Sequence, residues 1–159
     1  MASMEQIRDF LSQKRLAFVG VSRQPKEYSR ALFREFAARG CDAVPVNPAV
    51  TEIEGRTCFS SVLDIVPVPD GVVLLTSPAV TEKVVDECIR AGVKRVWMCR
   101  AGGKGSVSAH AVDECQAHGI AVIPGECPFM FLQGRYQQGG GWVHHFHGFL
   151  KKITGSYPN

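Results

Sequence analysis

Residues 20 to 30, "GVSRQPKEYSR", bring three kinds of anion-binding group onto one short stretch. Gly20 ends an apolar run, Ser22 and Ser29 carry hydroxyls, and Arg23, Lys26 and Arg30 carry positive charge. A strand that turns through glycine into a helix presents backbone N–H groups and the positive end of the helix dipole, which suits a phosphate. The dinucleotide fingerprint asks for three glycines at this turn. Ser22 and Pro25 stand at the second and third positions, so close pyrophosphate approach at the usual place is not expected. The only histidine cluster is His144, His145 and His147. His144 and His147 have the i, i+3 spacing of helical chelation, but no carboxylate or cysteine lies close in sequence, and no metal site is read there. His110 and His118 read as surface or helix-end residues. No P-loop, nucleophile elbow or zinc motif occurs, and no nucleophile–base pair stands out, so the pattern argues for binding over catalysis.

The elements that must position these groups alternate. Ser3 caps a first helix with Ile7, Phe10 and Leu11 on its apolar face. "RLAFVG" is the first strand, and "SRALFREFAARG" a helix with Leu32, Phe33, Phe36 and Ala37 inward and Gly40 as its stop. "DAVPVN" is the second strand, irregular or unpaired on one side because Pro45 lacks a donor. Residues 49 to 70 read as a loop with one short helix capped by Ser60 or Ser61. "GVVLLT" suits a strand buried on both faces. The next helix has Ser77 as cap, Pro78 at its first position and Gly92 as its stop. "VKRVWMC" is the fourth strand, residues 107 to 118 a helix, and "IAVIP" the fifth strand. Strictly alternating strands and helices imply crossover connections, and the economical solution is a Rossmann-like, doubly wound parallel α/β sheet of about five strands.

Size and composition set the frame. The chain has 159 residues, 45% hydrophobic and 21% charged, which suits one globular domain. A net charge of +3 spread along the chain argues against nucleic acid while leaving room for a local anion site. The longest apolar runs fall far short of a transmembrane segment, and the N-terminus lacks an apolar signal core, so a cytoplasmic location is expected. The reading divides the chain into a nucleotide-binding domain over 1–132 and a tail over 133–159. The tail holds a glycine-rich connector and an amphipathic helix with Trp142, Val143, Phe146, Phe149, Leu150 and Ile153 on one face. Residues 142–153 are expected to dock on protein (the same domain, a homodimer partner or another protein), with a lipid interface as the other place for such a face.

In an open parallel sheet the ligand lies beyond the C-terminal strand ends, here loops 20–30, 46–55, 75–78 and 98–106. NAD sites place Asp or Glu at the end of the second strand to hold the ribose hydroxyls. This chain has Asn47-Pro48 there and three cations near the first turn, which favours a nucleotide with an extra phosphate, as NADP or coenzyme A has.

"FVGVSRQPKEYS", "VPVNP", "EGRTCFSSVLDI", "VLLTSPAV" and "AGVKRVWM", in this order over residues 14 to 131, resemble the small CoA-binding protein family. That family's fold is similar to the CoA-binding domain at the N-terminus of the succinyl-CoA synthetase alpha subunit. The resemblance implies that Gly20, Val21 and Ser22 line the nucleotide and phosphate region and that Ser29 hydrogen-bonds a phosphate. It implies Val46, Asn47 and Pro48 on the adenine side, and Thr76, Ser77 and Pro78 beside the diphosphate or upper pantetheine. Met98, Cys99 and Arg100 would border the pantetheine arm, and Cys127-Pro128 matches a late Cys-Pro of the family. A lysine that often follows V-N-P is replaced here by Ala49 and Val50, so the 3′-phosphate would need Arg23, Lys26 or Arg30.

The expected function is therefore a stand-alone, non-catalytic domain that binds the cofactor coenzyme A or an acyl-CoA. Two alternatives are an NAD(P)-binding domain acting as redox sensor or minimal oxidoreductase, and an interaction or membrane-associated protein working through its C-terminal helix. The ligases of this resemblance use a phosphorylated histidine and a nucleotide-binding partner domain, and 159 residues are expected to be too few to hold those additional domains. The six cysteines form no C-x-x-C pair and are expected as thiols, with Cys88 and Cys115 packed in helices. Cys99 and Cys127 follow strand ends, where a mixed disulfide with the thiol of coenzyme A is the one covalent step to weigh against two unreactive thiols.

Overall fold

The alternation of side chains along five short apolar strands decides the architecture. In the computed structural model, which describes residues 2–100 and 105–132, one parallel sheet is built from β1 (Arg15–Val19), β2 (Asp42–Val46), β5 (Gly71–Leu74), β6 (Arg95–Met98) and β7 (Ala121–Pro124). Their order is β2-β1-β5-β6-β7. The chain steps outward from β1 to β2, then returns to lay β5 on the other side of β1. That reversal is a topological switch point, and it leaves a crevice between the C-terminal ends of β1 and β5.

Leu16, Phe18, Val73, Trp97 and Ile123 face one side of the sheet, and Ala17, Val19, Val72, Leu74, Val96, Met98 and Val122 the other. The first side is covered by α1 (Met4–Leu11), α2 (Tyr28–Ala38) and α5 (Phe129–Leu132), through Ile7, Phe10, Leu32, Phe33, Phe36, Phe129 and Leu132. The second is covered by α3 (Pro78–Ala91) and α4 (Ala109–Ala117), through Val84, Val85, Cys88, Ala111 and Cys115. Each such aliphatic or aromatic side chain removed from water contributes about 1.5–3 kcal/mol before conformational entropy is set against it. Trp97 is wholly buried, packs edge-on against Phe10 at 5.3 Å, and donates its Nε1–H to the Gly125 carbonyl at 3.0 Å. Its polar end thus ties β6 to the turn after β7.

Local signals place most boundaries. Ser3 and Gln6 form a reciprocal capping box at α1, and Ser77 caps α3 with Pro78 at its first turn. Gly92, at φ 81°, ends α3 in the left-handed conformation. β2 is an edge strand, which is where Pro45 costs no ladder bond. Its carbonyl, on the outer side, accepts from the Phe59 N–H at 3.0 Å.

Some details differ from the sequence reading, the short helix α5 among them. The helix expected over 107–118 begins at Ala109, because Ser108 is spent as its cap. The segment read as a loop holds an antiparallel hairpin, β3 (Glu52–Ile53) with β4 (Arg56–Thr57). Glu54 and Gly55 at its tip both have positive φ, 51° and 73°, as two-residue hairpin turns require. The short helix of that segment is a single 3₁₀ turn, Val62–Asp64, and Ser61 is its cap. The connector and helix expected within 133–159 lie outside the described residues, as do His144, His145 and His147. Among the described residues no helix is long and apolar enough to cross a membrane.

Candidate functional site

The crevice is shaped first by Gly20. It follows β1 at φ 92°, and its N–H donates to the Val46 carbonyl at 3.0 Å. A Cβ on this residue would sit 2.7 Å from the Leu75 carbonyl oxygen and 3.1 Å from Thr76 Cγ2. Only a residue without a side chain lets the β1 turn lie directly against the end of β5.

From Gly20 the loop is held by its own polar groups. The Ser22 N–H donates to Ser29 Oγ at 2.8 Å, and the Gln24 N–H to Ser22 Oγ at 3.0 Å. Asn47, just past β2, donates from Nδ2 to the Val21 carbonyl at 2.9 Å and accepts at Oδ1 from the Ala49 N–H at 2.8 Å. Arg30 Nη1 reaches the carbonyls of Ser22 and Arg23, each at 3.2 Å. Gly20, Val21, Ser22, Ser29 and Asn47 are therefore bonded to one another or to immediate neighbours. Val21 and Val46 bury their side chains, Pro48 is exposed, and Asn47 is half-buried between them.

The other wall is the end of β5 and the start of α3. Thr76 Oγ1 lies 2.7 Å from Oγ1 of Thr81, which is fully buried. The exposed Ser77 caps α3 and places Pro78 at the helix entrance, so the positive end of a 14-residue helix opens on the crevice. One strand further on, Met98 and Cys99 point into opposite cores. What they offer the crevice is backbone, and Arg100 is exposed beside them with its N–H on the Glu126 carbonyl. Ser106, wholly buried, has its hydroxyl 2.9 Å from the carbonyls of both Leu74 and Cys99, donating to one at a time. Ser106 and Thr81 brace the crevice and were not singled out from sequence. A lone hydroxyl inside a helix or loop pattern carries no sign of its partner.

The cations divide into two sets. Arg23 and Lys26 are exposed and have no side-chain partner among the described residues. Arg30 is committed: its Nη2 lies 2.6 Å from Glu54 Oε1, and Arg34 Nε meets the same oxygen at 2.7 Å. The two guanidinium groups hold the Glu54 carboxyl below its ordinary 4.5. The thiols are quiet. Burial pushes Cys99 well up, and burial also raises Cys127, whose Sγ lies 2.9 Å from the Tyr28 hydroxyl. Burial disfavours a thiolate at both, most at Cys99, which weighs against the mixed disulfide. Among the described residues no three His, Cys, Asp or Glu side chains converge as a metal would need.

Known proteins can be set against this geometry. The family model described as "CoA binding domain" matches residues 14–133. An ADP-forming acetate–CoA ligase of Methanocaldococcus jannaschii is 32% identical over 89 residues, covering 56% of this chain and 13% of that enzyme. The chain thus matches a small part of the ligase. A hypothetical protein from Pyrococcus horikoshii superposes with a TM-score of 0.76 at 30% identity, covering 84% of this chain and 92% of its own. A dinucleotide-forming acetyl-coenzyme A synthetase of Candidatus Korarchaeum cryptofilum, in complex with phosphate and ADP, shares the fold at a TM-score of 0.65. At 24% identity that match covers 77% of this chain and 28% of the synthetase.

Proposed function

This chain belongs to the CoA binding domain family, and we propose that it binds coenzyme A or an acyl-CoA as a stand-alone, non-catalytic domain. The observation that carries the reading is the switch-point crevice. One bare glycine turn packs against Leu75, and Asn47 stands where a ribose-binding carboxylate would stand. The Asn47 amide is spent on the Val21 carbonyl, so the end of β2 offers a nucleotide no acidic clasp for free ribose hydroxyls. The diphosphate would lie between the Ser22–Ser29 turn and the entrance of α3, where backbone N–H groups, the Ser77 hydroxyl and two helix dipoles converge on negative charge. Adenine would rest by Val46, Asn47 and Pro48. The pantetheine arm would run over the backbone at Met98, Cys99 and Arg100.

A ligand that binds only the native state stabilises it by RT ln(1 + [L]/Kd), about 2.7 kcal/mol at a hundredfold excess over Kd. For a domain of this size that corresponds to a rise of about 5–10 °C in Tm. Thermal unfolding with CoA, acetyl-CoA, NADP and NAD should show the rise with the two CoA compounds. A rise with NADP alone would overturn the reading in favour of a redox cofactor.

A further inference from the structure

Arg30 and Arg34 converge on a single oxygen. Arg30 Nε and Nη2 lie 3.2 and 2.6 Å from Glu54 Oε1, and Arg34 Nε lies 2.7 Å from it. Two positive charges thus share one carboxylate, and the cluster keeps a net positive charge. We infer that this arginine pair is the seat of the ribose phosphate ester of the bound nucleotide, and that Glu54 is an internal stand-in which the phosphate displaces. The inference rests on the coenzyme A reading and names the group that would select a 3′-phosphorylated ligand.

Position supports it. Arg30 lies in the first turn of α2 and donates to the Ser22 and Arg23 carbonyls, so it adjoins the phosphate-binding turn. Glu54 lies at the tip of the hairpin that follows β2, and the end of β2 is where an adenosine ribose lies in sites of this architecture. The chain after Pro48 reads Ala49-Val50 and supplies no cation.

Charge and geometry agree. A phosphate monoester carries close to two negative charges at neutral pH and has oxygens enough to engage two planar guanidinium forks, which one carboxylate oxygen does not. Exchange would cost the fold little. Of the hairpin only Ile53 is buried, while Glu52, Glu54, Gly55 and Thr57 are exposed. Arg30, whose side chain is 12% exposed, stays fixed by the loop carbonyls. Arg34, at 44%, lies at the solvent edge where the ester would enter. Arg23 and Lys26, exposed on the adjoining loop, would add attraction without a fixed contact.

Isothermal titration of the whole chain with CoA and with 3′-dephospho-CoA tests the seat, using wild type, Glu54→Gln and Arg34→Gln. The wild type should prefer CoA. Removing the stand-in in Glu54→Gln should tighten CoA by about fivefold, the upper range for a partly exposed ion pair, and leave dephospho-CoA unchanged. Arg34→Gln should bring the two affinities towards parity. The affinity ratio is the readout, because Arg34 also holds the Pro25 carbonyl at 2.9 Å and its loss can loosen the loop for both ligands. A ratio unmoved by either substitution, or an equal weakening of both ligands in Glu54→Gln, would overturn the seat and make Glu54 a brace. A wild type that binds neither compound would overturn the coenzyme reading and the seat with it.

Discussion

Gly20→Ala tests both the packing of the crevice and its use. The added Cβ meets two separate penalties. One is conformational: at φ 92° a residue with a side chain is strained by about 1–3 kcal/mol. The other is collision, since the new carbon would lie 2.7 Å from the Leu75 carbonyl oxygen and 3.0 Å from its carbon. Both of these are backbone atoms of the residue that follows β5, so relief requires the ends of β1 and β5 to part, at about 1–3 kcal/mol for overpacking. The sum, about 2–6 kcal/mol, is a large share of the 5–15 kcal/mol typical of a domain. It lowers Tm by about 5–20 °C at this chain length. Gly92→Ala is the control. Its φ is 81° with nothing within 4 Å of the new carbon, so it bears strain alone. Thermal unfolding of both variants, with and without CoA, isolates the collision as the difference between them. Gly20→Ala should be the less stable variant and should lose the CoA-induced rise, while Gly92→Ala should keep that rise. Equal destabilisation would refute the close-packing argument. A folded Gly20→Ala with an undiminished CoA rise would refute the placement of the ligand at the switch point.

Further expectations follow from the same contacts. Asn47→Ala removes the side-chain bond that joins the end of β2 to the Val21 carbonyl, together with the local bond from the Ala49 N–H, and should cost about 1–3 kcal/mol in urea unfolding. Asn47→Asp should cost more, because it turns a carboxylate towards the Val21 carbonyl and offers no donor. Native protein treated with a disulfide reagent at pH 8 should react first at half-buried Cys41, although burial pushes that thiol up to about 11. Buried Cys99 and Cys127 should wait for unfolding, and intact mass after diamide and CoA should show no CoA adduct on folded protein. Glu54 has a folded pKa below its unfolded value, so its contribution to stability is complete above the ordinary 4.5 and is lost as pH falls through the lowered value. The Tm gap between wild type and Glu54→Gln should therefore be present at pH 7 and close in acid. A gap that persists at pH 2 would show that the carboxylate is not the stabilising group.

The legible parts of the fold were those in which one residue type performs a nearly unique task. Ser77-Pro78 can open a helix and Gly92 can close one, so α3 was readable to its ends. Pro45 is tolerated on an edge, and β2 is an edge. The hairpin at 52–57 was not legible, because two-residue strands show no alternation and Glu54 is not a usual residue at positive φ. That omission reached the site. Without the hairpin, Arg30 reads as one of three cations at the first loop and helix start, and its partner Glu54 across the chain cannot be seen. Met98 and Cys99 show a second limit. Strands buried on both faces read as continuous apolar runs, so sequence places a residue at a strand end without telling which core holds its side chain.

The hydrogen bonds of the first turn bear on how a ligand would be held. In a glycine-rich dinucleotide loop, flexible residues must be ordered as the phosphate arrives. Here Ser29, Asn47 and Arg30 hold the backbone at Ser22, Val21 and Arg23 through the protein's own hydrogen bonds. Ordering a residue's backbone costs about 1–2 kcal/mol, so a turn already ordered over several residues spares a ligand a cost of that order for each. Ser22 and Pro25 at the expected glycine positions then have a physical role. They exchange the close approach of glycine for a turn that is stiff beforehand, which suits a ligand held at several points along its length. The same stiffness makes the crevice sensitive to substitutions such as Gly20→Ala that move one wall relative to the other.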